Sequence, residues 1–219
     1  MVVNAVDRYR VARENAWQWR RELSWIKKLS LALGMACLVG LLAQARIPLP
    51  WTPIPVTGQT FGVLLAAVLL GQWWGGISMG IYLTIGIAGV PWFNGGTGGI
   101  AAIAGPTGGY LIGFVLAALF LGYVVDKYVK SRSFRNLLVL MLFSDFALVF
   151  IPGLFQLHLW SNLAGKGTIS FYGILTMGLF PFIPGEILKL TAAAGAAWAL
   201  VPKEKSRFPV IELNDKFDR

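Results

Sequence analysis

The chain has 219 residues, of which 56% are apolar and 13% charged, and its net charge is +9. Soluble domains carry about 25% charged residues, whereas residues 29–125 of this chain contain a single charge, Arg46. Uncharged stretches of this length exclude a soluble protein, a disordered tail and a small secreted domain. Because the basic residues flank apolar segments, their excess indicates membrane orientation rather than nucleic-acid binding.

The apolar segments predict an all-α integral membrane protein with six transmembrane helices, since about 20 apolar residues cross a bilayer. The membrane domain is expected at 29–200, after a basic segment at 1–28 and before a tail at 201–219. A glycine- and tryptophan-containing turn at 71–76 divides two short spans, and 171–180 is expected to form a short helix outside the membrane. The predicted spans are 29–45, 58–71, 74–89, 106–125, 136–157 and a last one that begins near Pro184.

The distribution of Lys and Arg predicts the orientation of these spans. Six spans place both chain ends on one side, and that side carries 16 Lys and Arg residues, against two, Arg46 and Lys166, on the other. The positive-inside rule then puts both termini in the cytoplasm of a multi-pass protein in the cell membrane. The basic segment before the first span is expected to lie on the anionic inner leaflet as an amphipathic helix, with a disordered tail as the alternative. Its apolar stripe comprises Tyr9, Ala12, Ala16, Trp19, Leu23 and Ile26.

Three of the predicted spans carry a small residue at every fourth position. Small residues allow helix backbones to approach closely in lipid, so some of these ridges should close the bundle and others should serve a partner protein. The ridges are Ala32, Ala36 and Gly40 in the first span, Gly76, Gly80, Thr84 and Ala88 in the third, and Gly105, Gly109, Gly113 and Ala117 in the fourth. The sequence does not distinguish the two uses.

A glycine-rich segment lies between the third and fourth spans, on the predicted outer side. It has ten glycines between Gly86 and Gly113 and almost no Ser or charge, which favours an ordered loop that folds over the bundle rather than a flexible connector. Trp92 and Phe93 are predicted to form the walls of a pocket. Asn94 offers both a hydrogen-bond donor and an acceptor to a ligand.

Three ionisable residues lie within predicted spans, where such groups are costly and usually functional. Glu186 and Lys189 are three residues apart and therefore share a helix face, so they either contact a ligand or form a mutual ion pair. Asp145 lies in the middle of the fifth span, and we expect hydrogen bonds inside the bundle to neutralise it, with a proton path as the alternative. A single His and a single Cys argue against a metal site.

The chain has no convincing catalytic motif, and we expect neither an enzyme nor a bound cofactor. Residues 76–80 match the G-x-S-x-G pattern of serine hydrolases, with Ser78 at its centre and His158 as the only available base. The predicted topology places these two residues at opposite membrane faces, about 30 Å apart. Residues 165–168 do not complete a phosphate-binding loop, so any energy for uphill transport must come from a partner or an ion gradient.

Several motifs, in order along 29–200, resemble the BioY family of biotin-binding S components of energy-coupling factor transporters. They are I-P-L-P at 47–50, T-P-I-P-V-T-G-Q-T at 52–60, the glycine-rich loop with G-P-T-G-G-Y at 105–110, and P-G-E-x-x-K at 184–189. The resemblance implies a six-helix fold and capture of biotin from the outer face. It also implies two kinds of partner, a transmembrane coupling protein and two cytoplasmic ATPases.

The resemblance also implies roles for particular residues. Asn94 and Lys189 match the family's site residues, whereas Glu186 replaces an Asp with a side chain one methylene longer. Biotin's apolar ring and chain would suit Trp92, Phe93 and Tyr110. The family's A-x-x-x-A docking motif for the coupling protein is matched by the pair Ala32 and Ala36. The alternatives are an S component for another small vitamin and a membrane scaffold without a ligand.

Overall fold

The computed structural model describes residues 5–163 and 169–203, and Lys166 and most of the predicted tail at 201–219 lie outside this range. Apart from loops and turns, the described part is helical except for one pair of two-residue strands, β1 (Arg46–Ile47) and β2 (Val56–Thr57), which pair antiparallel. The helices are α1 (Ala5–Glu22), α2 (Trp25–Gln44), α3 (Gln59–Leu70), α4 (Gln72–Ile87), α5 (Ile100–Ala104), α6 (Gly108–Lys127), α7 (Phe134–Phe143), α8 (Ile151–Leu163), α9 (Phe171–Gly178) and α10 (Ile183–Leu200). A π-helical turn at Ser144–Phe150 joins α7 to α8.

The membrane helices follow the predicted order. In the described ranges, α2, α6 and the continuous helix Phe134–Leu163 are long and apolar enough to cross a membrane, and α9 with α10 forms a fourth candidate that bends by 48°. The helices α3 and α4 have 12 and 16 residues, which agrees with the prediction of two short helices. The last span begins at Ile183, with Pro184 in its first turn, and the short helix before it is α9. α2 begins earlier than predicted, at Trp25.

Helix α6 lies at the centre of the bundle, in contact with α3, α4, α8 and the π-helical turn. The contact with the π-helical turn depends on a glycine, because a Cβ atom at Gly113 would lie only 2.6 Å from Val149 Cα. Ala117, which continues this ridge along α6, is fully buried. The small-residue ridge of α6 therefore closes the bundle.

The A-x-x-x-A pair of α2, Ala32 and Ala36, which we predicted as a docking groove, packs inside the bundle in this structure. Both residues are 0% exposed, and the Ser78 hydroxyl of α4 donates a 2.7 Å hydrogen bond to the Ala32 carbonyl. α4 therefore occupies the groove that these alanines form. The small residues that α2 exposes are instead Ser30, Gly34 and Cys37.

The basic N-terminal segment is a helix, α1, as predicted, but a different residue attaches it to the bundle. Trp17 is buried, and the guanidinium groups of Arg20 and Arg132 lie 3.8 Å and 4.6 Å from the centre of its ring. Within the predicted stripe Leu23 is buried, whereas Tyr9, Trp19 and Ile26 are exposed. Trp19 and Ile26 are thus free to contact the membrane surface, whereas Trp17 contacts protein and the Tyr9 hydroxyl donates a hydrogen bond to the Ala199 carbonyl of α10.

Candidate ligand-binding site

The end of the bundle opposite α1 is built from segments that are distant in sequence. They are the β1–β2 hairpin, the glycine-rich loop between α4 and α6, the π-helical turn and the first turn of α10. Arg20, Asp126 and Arg132 meet at the other end. Since that end carries the basic excess, the positive-inside rule makes the hairpin and loop end the outer one.

A cavity of about 50 Å³ lies between these outer segments. It is far smaller than the roughly 300–1,000 Å³ of typical small-molecule sites, so a vitamin-sized ligand must displace part of its lining. The lining combines aromatic and aliphatic groups with a few polar ones. It comprises Ile54, Pro55, Thr57, Gln59, Thr60, Asn94, Thr107, Tyr110, Leu111, Phe114, Val149, Phe150, Phe182 and Glu186.

Glu186 is the charged group of this cavity and is only 4% exposed. Its Oε2 atom accepts a 2.8 Å hydrogen bond from the Thr60 hydroxyl, and its Oε1 atom lies 2.5 Å from Lys189 Nζ. Lys189 also donates a 2.7 Å hydrogen bond to the Thr57 carbonyl. The ion pair that we considered as an alternative to ligand contact is thus present. Each carboxylate oxygen has two lone pairs, so Glu186 retains acceptor capacity for a ligand.

The glycine-rich loop is ordered over the cavity, as predicted. Its tip is a tight turn in which Gly95 and Gly96 have φ values of 71° and 68°, a region that side chains with a Cβ atom rarely adopt. Phe93 and Thr97 form a bridge across this turn. Gln44 of α2 accepts a hydrogen bond from the Gly96 amide at 2.9 Å and donates one to the Phe93 carbonyl at 3.1 Å. These contacts hold Asn94 at the cavity.

Trp92 and Phe93, which we predicted as walls of the pocket, do not line this cavity. The Trp92 indole donates a 2.9 Å hydrogen bond to the Tyr82 carbonyl of α4. Phe93 is 1% exposed, and its ring packs edge-on against Tyr82 at 5.3 Å. Both side chains point toward α4 and attach the loop to the bundle, because the turn at Gly95 and Gly96 leaves Asn94 on the cavity side.

Tyr110 lines the cavity as predicted, and the other aromatic walls come from segments that we had not assigned to the site. The Tyr110 hydroxyl donates a 2.8 Å hydrogen bond to the Gly178 carbonyl, and its ring lies edge-on to Phe150 at 5.5 Å. Phe114 and Phe182 complete the apolar wall. Phe150 belongs to the π-helical turn, a type of distortion that is frequent at functional sites.

Sequence reasoning also missed Gln59 and Thr60, which are 5% and 7% exposed. Gln59 donates a 2.8 Å hydrogen bond to the Tyr82 hydroxyl and so connects α3 to the helix that holds the loop. A signal for these residues existed, because they form a polar pair at the start of the otherwise apolar α3. Polar side chains are rare on membrane helices without a functional or packing reason.

Asp145 lies in the π-helical turn and is 0% exposed. Neither of its carboxylate oxygens has a hydrogen-bond partner among the described residues, so the expected neutralisation by hydrogen bonding is wrong. Its electrostatic neighbours are Glu186 and Lys189. Tertiary folding therefore brings the three intramembrane ionisable residues together, although Asp145 itself does not line the cavity.

The geometry also argues against a serine-hydrolase site and a metal site in the described part of the chain. The Ser78 hydroxyl is engaged with the Ala32 carbonyl, and the His158 ring lies 3.2 Å from the Asn162 amide, so the two residues do not form a nucleophile–base pair. Within the described ranges, no group of three His, Cys, Asp or Glu residues could hold a metal ion. A small cavity with aromatic walls and one ion pair with a buried carboxylate, at the outer end of a membrane bundle, is characteristic of a solute-binding membrane protein.

Comparison with known proteins assigns the family. The family model described as the BioY family matches residues 13–205, and the chain belongs to this family. A relative from Methanothermobacter thermautotrophicus, a probable biotin transporter BioY, is 51% identical over 141 residues, which cover 64% of this chain and 89% of the relative. The biotin transporter BioY of Rhizobium etli is 32% identical over 74% of this chain and 86% of its own length.

The fold has a counterpart among solved structures. The crystal structure of the S component for biotin from an ECF-type ABC transporter superimposes with a TM-score of 0.71. The two chains are 29% identical, and the match covers 80% of this chain and 90% of the other. The chain is therefore an all-α, multi-pass membrane protein with the S-component fold, and it is a binding subunit rather than an enzyme.

Proposed function

We propose that this chain captures biotin at the outer membrane face as the S component of an energy-coupling factor transporter. The observation that supports this assignment most directly is the pair of buried cavity residues Thr60 and Glu186, with the half-buried Lys189 bound to Glu186, beside Asn94 and an aromatic wall. Biotin has matching chemistry in one molecule. Its ureido ring carries two N–H donors and one C=O acceptor, its sulfur-containing ring and valerate chain are apolar, and its tail ends in a carboxylate.

The polar groups divide naturally between the two ends of biotin. Glu186 accepts a ureido N–H through the lone pairs that Thr60 and Lys189 leave free. Asn94 pairs with the ureido carbonyl and the second N–H, because its amide both donates and accepts. Charge-assisted hydrogen bonds of this kind are roughly twice as strong as neutral ones.

Lys189 supplies the cation for the carboxylate tail. It is already held by Glu186 at 2.5 Å and by the Thr57 carbonyl at 2.7 Å, so it is positioned before the ligand arrives. The first turn of α10 adds amide groups that favour an anion. Tyr110, Phe114 and Phe182 surround the apolar ring and chain, and the loop that carries Asn94 moves outward to admit them, since the closed cavity is too small.

Uptake through this chain needs an energy source in other proteins, and we propose a transmembrane coupling protein with two cytoplasmic ATPases. Because Ala32 and Ala36 are buried, the coupling protein must dock on another part of the bundle surface. The lipid-facing side of α2, with Ser30 and Gly34, belongs to the surface that remains available.

Equilibrium binding of radiolabelled biotin to the purified chain tests this function. We expect saturable binding at one site, competed by unlabelled biotin and not by thiamine or riboflavin. Glu186→Gln should abolish high-affinity binding of biotin. Thr191→Val, a change on the exposed side of the same helix, should leave the affinity unchanged. Competition by another vitamin at lower concentration than biotin would reassign the substrate.

A further inference from the structure

A second cavity lies at the opposite, cytoplasmic end of the bundle, between α1 and the ends of the membrane helices. Its volume is about 390 Å³, within the range of small-molecule sites. It is lined by Trp17, Arg20, Arg21, Lys28, Leu31, Leu70, Trp74 and Asp126. None of these residues belongs to the outer site, so the biotin proposal does not explain this cavity.

The charges around this cavity are unbalanced. Arg20 is neutralised by Asp126, with its NH2 group 2.7 Å from Oδ1, and Asp126 also accepts a 3.2 Å hydrogen bond from the Gln72 amide. Arg21 and Lys28 form no ion pair with any acidic side chain in 5–163 and 169–203. The Lys28 ammonium donates a 2.8 Å hydrogen bond to the Arg21 carbonyl, which holds it close to Arg21.

A third guanidinium adds to this positive cluster. Arg132 is 5% exposed, and burial lowers its pKa to about 10, with the charges of Arg21 and Arg20 acting in the same direction. Arg132 remains protonated at neutral pH. The cavity lining thus carries three cations, Arg20, Arg21 and Lys28, and one carboxylate, Asp126, and the charges of Arg20 and Arg21 also act on the nearby Arg132. A bound anion would relieve the repulsion among these cations.

The apolar part of the cavity indicates what kind of anion fits. Leu31, Leu70 and Trp74 come from α2, α3 and α4, which are membrane helices, so the apolar wall leads toward the hydrocarbon. Trp25 and Trp73 on the same side are 67% and 68% exposed, as expected for side chains at the level of lipid headgroups. A free phosphate would use the cations and leave the leucines without a partner.

We propose that this cavity binds an anionic phospholipid of the inner leaflet, with its phosphate between Arg21 and Lys28 and an acyl chain along Leu31 and Leu70. Basic pockets between helices on the cytoplasmic side are suited to such headgroups. The lipid joins α1 to α2 and to the α3–α4 turn, and it thereby holds the N-terminal helix against the bundle.

The test uses the full-length chain in zwitterionic detergent and titrates phosphatidylglycerol, phosphatidylcholine with the same acyl chains, or inorganic phosphate. Lipid retention is read by native mass spectrometry and stability by thermal unfolding. We expect phosphatidylglycerol alone to be retained and to raise the melting temperature. Arg21→Gln with Lys28→Gln should weaken its binding by about 30-fold. Arg10→Gln with Lys27→Gln removes the same charge from exposed positions outside the cavity and should change binding less than threefold.

Equal binding of phosphatidylcholine, equal protection by inorganic phosphate, or equal loss in the two double variants would overturn the proposal. If the Arg21 and Lys28 variant does not elute as a monodisperse helical protein, the test is made instead on the native chain and on a Trp74→Phe variant, provided that both are folded. Phosphatidylglycerol brominated on its acyl chain should then quench the fluorescence of Trp74, so the native chain should be quenched more than the Trp74→Phe variant. Equal quenching of the two chains would also overturn the proposal.

Discussion

Thr60 and Glu186 are 126 residues apart in the sequence, yet the Thr60 hydroxyl donates a 2.8 Å hydrogen bond to Glu186 Oε2 inside the outer cavity. This contact connects the first turn of α3 to the first turn of α10 and orients the carboxylate that we assign to biotin's ureido ring. Hydrogen bonds to charged groups contribute about 1.5–3 kcal/mol, so the contact is large enough to test by substitution.

We expect Thr60→Val to weaken biotin binding by about tenfold or more, because valine keeps the shape of the side chain but cannot hold Glu186. Thr191→Val is the matched control, since this threonine is exposed and its hydroxyl donates only to the Ile187 carbonyl one turn earlier. Isothermal titration calorimetry of the two variants measures the difference. Equal affinities would mean that Thr60 does not orient the ligand-binding carboxylate.

Lys189→Met separates contact with a ligand from a purely structural ion pair. Losing one partner of a buried charge pair costs about 2–5 kcal/mol, and we expect this loss in the affinity for biotin. Biotinamide lacks the anionic tail, so it should bind more weakly than biotin to the native chain and lose much less affinity in the variant. If both ligands lose affinity equally, Lys189 acts by holding Glu186 and does not contact the carboxylate.

The glycine-rich loop should become more rigid when biotin binds. In the closed structure its tip is held by the Phe93–Thr97 bridge and by Gln44, and entry of a ligand requires these contacts to open first. Hydrogen exchange of a peptide covering 90–107, followed by mass spectrometry, should slow at least several-fold at saturating biotin. Peptides of α1 serve as the internal reference. Unchanged exchange in 90–107 would contradict a lid role.

The inward orientation of Ala36 predicts a stability defect. Ala36→Leu inserts a larger side chain into a fully buried position, and such overpacking costs about 1–3 kcal/mol, so the melting temperature should fall and biotin binding with it. Gly34→Leu is the control on the same helix, because a Cβ atom there meets nothing within 4 Å. A normal melting temperature for Ala36→Leu would show that α2 exposes this residue.

Replacing the polar side chain of Asp145 with an apolar one should stabilise the fold. Its carboxyl oxygens are buried and lack hydrogen-bond partners among the described residues, and Glu186 places a negative charge in its surroundings. We therefore expect Asp145→Leu to raise the free energy of unfolding by about 1 kcal/mol, because leucine leaves no buried polar atom without a partner, with little change in biotin affinity. A lower melting temperature, or loss of binding, would instead assign the carboxylate a functional partner.

Local sequence signals were sufficient to predict the helices, their order and their orientation in the membrane. Hydropathy, the turn at 71–76 and the proline at Pro184 are local signals, and each one ends or begins a helix regardless of what packs against it. The ordered loop could also be predicted from a local signal, because the glycines that permit its turn are adjacent in the chain. Asn94, Tyr110 and Glu186 lie at the cavity as the motifs indicated.

The direction in which each side chain points, by contrast, depends on how the helices pack against one another. In a soluble helix, polarity marks the face that meets water, but in a bilayer the lipid and the bundle interior are both apolar. The pattern of α2 therefore could not tell that Ala36 faces α4 while Gly34 faces lipid. For the same reason the sequence could not show that Phe93 turns toward α4, or that Thr60 and Asp145 approach Glu186, since these contacts depend on helix rotation and packing between distant segments.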